Sequence, residues 1–160
     1  MSRQLPHESF CDIPLGISVE DAHGFILRRE RIRTKETVMT EARIVAGHDQ
    51  RFGEIDSVIT NVPHYVCWHS PSGYEWGFGG SGPAELALNI VEHVLRQEEF
   101  DGPAWSEAKD HAGSCFAAAV GLHQEFKWAF VSKVPTIGGM LPYEVVKEWV
   151  MERVQLLAFS

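Results

Sequence analysis

Between Gly77 and Gly82 the chain reads GFGGSG, which fits the pattern G-x-G-x-x-G. The chemistry such spacing can serve is phosphate binding, because glycines let a backbone approach an anion at the positive end of a helix. A dinucleotide site also needs a buried parallel strand before the motif, a helix after it, and a second strand ending in an acid about 20 residues on. A helix does follow. The preceding YEWGF, however, carries Glu75 and leaves a turn, so it should run antiparallel, and EEFDGPAW follows the helix instead of a strand. Glu98, Glu99 and Asp101 stand at the right distance but on a helix end or loop. Pro83 removes one N–H donor from the turn where phosphate would sit. A Walker loop is excluded because no Gly-Lys-Ser/Thr follows. A nucleophile elbow, G-x-S-x-G around Ser81, fails at its last position, where Pro83 stands, and no acid or histidine is tied to Ser81 by sequence. The glycines therefore read first as a joint between a strand and a helix. The chemistry left open is the capture of a small anion or carboxylate by Gly79, Gly80, Ser81 and Gly82, with Glu75 and His69 beside them. No catalytic residue, cofactor or metal site is assigned.

Glu75 is the most informative single carboxylate, flanked by Tyr74 and Trp76. Facing Lys127 or His69 it would be a buried partner with a shifted pKa; the readings open to it are a general base, which would need a cleft and a substrate, a hydrogen bond to turn N–H groups, or plain exposure. Eight histidines invite a metal. His64 and His69 would fall on opposite faces of a regular strand, and Cys67 with His69 on one face makes two ligands, too few for a site. His111 and Cys115, at i and i+4 of a helix, could approach His123.

These groups sit in a chain of 160 residues, long enough for one domain with a core of its own. The expected division is one domain over 1–160, with 1–16 an arm. Hydrophobic residues make up 44% and charged residues 22%, which is ordinary globular usage. A net charge of −8 opposes non-specific binding to nucleic acid. The basic run Arg28 to Lys35 is interrupted by Glu30 and reads as a solvated face. Three widely spaced cysteines, Cys11, Cys67 and Cys115, and no leader in MSRQLPHESF suggest reduced thiols and a cytoplasmic protein. No apolar run approaches the roughly 18 residues of a membrane span.

The elements that must position the site follow from pattern. SVED at 18–21 has the form of a capping box. GFILRRERI and ETVMTEARIVAG suit strands, with a charged helix as competitor for the region, and GHDQRFGE reads as a loop. SVITNVPHYVCWHS is β-branched and aromatic but broken by Pro63. With SPSG as a turn, His64 to Phe78 reads as a hairpin that places Trp76 and Phe78 on one face. Pro83 marks the clearest helix start, capped by Ser81 or Gly82, with Glu85 in the first turn and Ala87, Ile90, Val91, Val94 and Leu95 as the apolar stripe. A second helix is expected from about Ser106. A third carries Leu122, Phe126 and Phe130, and PTIGGMLP breaks it. The last begins near Pro142, with Val146, Trp149, Val150, Val154 and Leu157 on one side. Strands first and helices after predict an α+β fold: an N-terminal antiparallel sheet packed on three to four C-terminal helices.

The stretch His69 to Leu88, HSPSGYEWGFGGSGPAELAL, resembles the hallmark of a small domain of unknown function in bacterial and phage proteins, H-S-P-x-G-[FY]-E-W-G-[FY]-G-G-S-G-P-A-x-L-A-L. Gln124 to Trp128, Val131, Pro135, Val146 and Trp149 extend the likeness, so that it covers about residues 64–150. The segment at about 101–120 is longer than the family suggests, and residues 17–63 add strands of their own. The resemblance implies a compact α+β domain and carries no activity.

Two functions are weighed. The first is a non-enzymatic accessory protein that works through an unidentified protein partner, with self-association as one form of contact. The second is an enzyme or sensor that binds a small anion or nucleotide phosphate at residues 79–84. Nucleic-acid binding through residues 28–35 is a weaker third.

Overall fold

The structure is a computed structural model, and it describes residues 17–33, 54–70, 73–105 and 114–158. The expected N-terminal arm, the strand ETVMTEARIVAG, all but the last residue of the loop GHDQRFGE and the helix start at Ser106 lie outside the described residues.

The fold is α+β. Helix α1 (Val19–Ala22) opens as SVED predicts: the Ser18 hydroxyl accepts the Asp21 N–H at 3.1 Å. His23 then takes a left-handed conformation and turns the chain into strand β1 (Gly24–Arg33). Strand β2 (Glu54–Thr60) pairs antiparallel with β1, Leu27 opposite Thr60 and Arg33 opposite Glu54. Just past β2, Asn61 extends the pairing with its side chain: Oδ1 accepts the Ile26 N–H at 2.8 Å and Nδ2 donates to Gly24 O at 2.9 Å.

The other edge of β1 is filled from far along the chain. Strand β3 (Gly138–Pro142) runs antiparallel to it, Gly24 opposite Pro142 and Leu27 opposite Gly139, so the sheet order is β2-β1-β3. Strands therefore do not all precede helices. PTIGGMLP breaks the third helix as expected, but its last residues form this strand.

Helix α2 (Ser81–Gln97) is the centre of the molecule, buried at every residue from Gly82 to Leu95. Its cap is Gly80; Ser81 and Gly82 are already helical, and Pro83 stands third. Helix α3 (Ala117–Ala129) packs along α2, and helix α4 (Tyr143–Ala158) closes the other side of α3 and the sheet. Phe126, Phe130 and Trp149 form an aromatic knot between α3 and α4, with centroids 4.8 to 5.8 Å apart. Phe25, Leu27, Leu86, Leu88, Ile90 and Val146 are fully buried around α2. Each such side chain contributes roughly 1.5–3 kcal/mol by leaving water.

The expected hairpin from His64 to Phe78 is absent. The described residues between Thr60 and Ser81 form no extended strand, although the Gly73 N–H does donate to Ser70 O at 3.2 Å. Trp76 and Phe78 do not share a face: Trp76 is buried and donates its indole N–H to Pro135 O and Thr136 O at 3.0 and 3.1 Å, while Phe78 is exposed. The β-branched and aromatic composition that suggested strands serves burial here, and the backbone polar groups of this segment find partners elsewhere.

Candidate functional site

Those partners come from one face of α2. Glu85, Asn89, Glu92, His93 and Arg96 recur at helical spacing and form a polar stripe on an otherwise apolar helix. Asn89 uses its whole amide. Oδ1 accepts the N–H groups of Tyr65 and Val66 at 2.7 and 3.0 Å, and Nδ2 donates to Val66 O at 3.0 Å and Glu85 O at 2.9 Å. Glu85, fully buried, accepts three consecutive amides: Trp68 N–H and His69 N–H reach Oε1 at 2.9 and 3.1 Å, and Ser70 N–H reaches Oε2 at 3.1 Å. Glu85 is expected in the first turn of the helix; α2 begins at Ser81 instead of Pro83, which puts Glu85 beyond that turn and opposite the loop amides. A carboxylate here does for the loop what a neighbouring strand would have done.

Further along, Glu92 accepts the Phe116 N–H at 2.8 Å and pairs with Arg96 at 2.7 Å. Arg96 lies over the Tyr65 ring and donates to Ser114 O. His93 sits between Glu20, 2.8 Å from Nε2, and the Tyr65 hydroxyl, 2.7 Å from Nδ1. A carboxylate at Nε2 calls for the proton there, which leaves Nδ1 to accept from Tyr65.

At the start of α2 the predicted residues Gly79, Gly80, Ser81 and Gly82 come together with Glu75. A Cβ built on Gly82 would lie 2.7 Å from Glu75 Oε2, so this carboxylate rests against the first turn of the helix. Glu75 is exposed and, among the described residues, pairs with neither Lys127 nor His69. A Cβ on Gly79 would overlap the Trp128 ring, and one on Gly80 would lie 2.5 Å from Phe78 Cε2. The two glycines thus let two aromatic rings approach the backbone closely. Lys127, almost wholly buried, donates to Gly79 O at 3.4 Å and holds its ammonium 4.7 Å from the Trp128 ring centre.

His69 looks elsewhere. Its ring stacks on Trp68 at 5.2 Å, and its Nε2 is 2.8 Å from Nε2 of His123 on α3. Burial above all holds His123 below the usual histidine range, and the neighbouring His69 adds to this. Helical spacing does not join Cys115 to His123, because Cys115 precedes α3 and its neighbour Phe116 bridges to Ala104; His111 lies outside the described residues.

A different set of metal-type donors converges instead. His64, Cys67 and Glu85 each offer one atom, all within 4.8 Å of one another. The sequence offers His64 and Cys67 as ligand types, whereas Glu85 reads there only as a helix-start residue. Its signal was its position: a carboxylate in line with Asn89, Glu92 and His93 on an apolar helix must face either water or buried polar backbone.

Residues 44–112 match the model of a family of unknown function (DUF6166), which spans less than half of the chain. The match begins before His64 and stops before α3, and it takes in the glycine turn and α2. No curated protein and no solved structure matches the chain. Among the described residues no helix is long and apolar enough to cross a membrane.

Proposed function

We propose that the protein acts without catalysis, as a cytoplasmic accessory factor of bacterial or phage origin that binds another protein through the aromatic surface of its glycine turn. The carrying observation is the pair Phe78 and Trp128, 48% and 58% exposed yet each lying on a glycine that no other residue could replace without displacing it. Large aromatic rings held rigidly at a surface supply contact area with little entropy left to lose, which is what anchors at protein interfaces require. The ammonium of Lys127 beside Trp128 restricts the ring further.

The competing idea, a small anion at residues 79–84, gains less. Glu75 already brings a carboxylate to Gly82, and Pro83 offers no N–H. An outside anion would meet a like charge there.

The double variant Phe78→Ala/Trp128→Ala tests the proposal. Neither ring fills the core, so thermal unfolding should be nearly unchanged, while the affinity for the partner isolated with the wild-type chain should fall by roughly 2 kcal/mol per anchor. Undiminished binding by the double variant defeats the proposal. So does a thermal shift produced by phosphate or nucleotides that Gly80→Val abolishes, which would favour the anion site.

A further inference from the structure

We infer that His64, Cys67 and Glu85 form a three-residue binding site for one zinc-class transition-metal ion, which would fasten the irregular segment after β2 to the central helix. The three donor atoms come from His64 and Cys67, three positions apart in the loop, and from Glu85 near the start of α2, and all lie within 4.8 Å of one another. His64 Nε2 stands 3.5 Å from Glu85 Oε2. Two ligands at ordinary zinc bond lengths on a tetrahedral ion are roughly 3.4 Å apart.

The carboxylate has capacity for this bond. Oε1 accepts from Trp68 N–H and His69 N–H, which fills both of its lone pairs. Oε2 accepts Ser70 N–H at 3.1 Å, with Trp68 N–H shared at 3.2 Å, and faces His64, and the carboxylate also holds a hydrogen bond from the Cys67 thiol, whose proton a bound metal would displace. The three amides therefore do for Glu85 what an outer shell does for a metal ligand: they fix its plane and leave one direction open. The His64 ring is oriented in turn by Tyr74, 4.7 Å away, whose hydroxyl donates to Pro63 O at 2.7 Å.

Charge points the same way. Glu85 is fully buried, and its one ion-pair partner among the described residues is His64 at 3.5 Å, a weak contact. A buried carboxylate normally has a firmer counter-charge. A divalent ion bound by one carboxylate, one thiolate and one neutral imidazole is electrically balanced. The thiolate selects zinc or a similar soft ion over magnesium or calcium. His64 is over a third exposed and Cys67 partly so, which gives the ion a way in and leaves a fourth position toward solvent.

The test uses the full-length reduced chain, stripped with a chelator and titrated with Co²⁺, then with Zn²⁺. The expected result is one Co²⁺ per chain, with tetrahedral visible bands and a thiolate-to-metal charge-transfer band, both removed by one equivalent of Zn²⁺. Cys67→Ser should abolish the charge-transfer band, His64→Ala should weaken binding by about tenfold or more, and Cys11→Ser/Cys115→Ser should change neither. Glu85→Gln removes the loop clamp as well as a ligand, so His64→Ala and Cys67→Ser, checked for native unfolding behaviour, carry the decision. No saturable binding, a charge-transfer band that survives Cys67→Ser, or affinity unchanged in His64→Ala would overturn the site.

Discussion

The imidazoles of His69 and His123 meet nitrogen to nitrogen, their Nε2 atoms 2.8 Å apart, while Nδ1 of His123 lies 2.6 Å from Val120 O. The second contact requires a proton on Nδ1 of His123. Its Nε2 is then a lone pair, and His69 donates the shared proton. The arrangement holds only while His123 is neutral.

Stability should therefore decline in mild acid. Burial depresses the folded-state pKa of His123 below its usual 6.5, so below that pH the unfolded chain binds the extra proton first. The contribution is complete above about 6.5, is lost as pH falls from there to the lowered folded value, and is constant below it. Urea unfolding of wild type and His123→Gln, compared at about pH 8 and about pH 5, should show the larger loss in wild type. An equal loss in both chains would mean that His123 is not the titrating group.

Two glycine substitutions should move stability in opposite directions. Gly138 has φ +120°, and a Cβ there would overlap Leu27 O in the pairing of β3 with β1. Gly138→Ala should cost about 2 kcal/mol or more through strain and a disturbed ladder. Gly121 is exposed on α3 with open space around it. Gly121→Ala should stabilise by roughly 0.5–1 kcal/mol, the helix propensity difference. Thermal unfolding of both variants checks the pair, and a neutral Gly138→Ala would show that the β1–β3 ladder is dispensable.

Removing the Asn89 amide should free a segment that has no regular secondary structure. Asn89→Leu keeps the branched shape and the number of side-chain heavy atoms but strands the Tyr65 and Val66 amides in the interior, at a cost of roughly 3 kcal/mol. Hydrogen exchange gives the sharper readout. In wild type the Tyr65 and Val66 amides should be protected like those of a strand, and in Asn89→Leu they should exchange much faster. Equal rates would place the protection elsewhere.

What could be seen in the sequence was what depends on neighbours in the chain. The Ser18 cap, the apolar period of α2, the Leu122–Phe126 face of α3 and the Val146–Val150 face of α4 are all local patterns, and each appears in the fold. Strand β3 is different. Gly-Gly-Met-Leu-Pro has the composition of a loop, and it is a strand because β1 offers it a free edge and Gly138 fits against Leu27. The segment from Asn61 to Ser70 fails in the reverse sense: it has the composition of a strand, but its amides go to Asn89 and Glu85. Side-chain bonds that span 15 to 24 residues leave no periodic trace. The glycine turn stands out at once, and Glu75 does join it, yet the aromatic that completes its surface, Trp128, comes from α3, next to Lys127, which lies 48 residues from the Gly79 it bonds.

The middle strand of the sheet is synthesised before either of its partners. Once residue 33 has left the ribosome β1 is complete, and β2 can reach it after residue 60, but its remaining edge stays open until residue 142 emerges. For that interval a nascent chain exposes a row of unsatisfied β1 amides, a template on which a second nascent copy could pair. Release of truncated chains, or translation that stalls between α3 and β3, would thus be the circumstance in which this protein is most prone to misassembly.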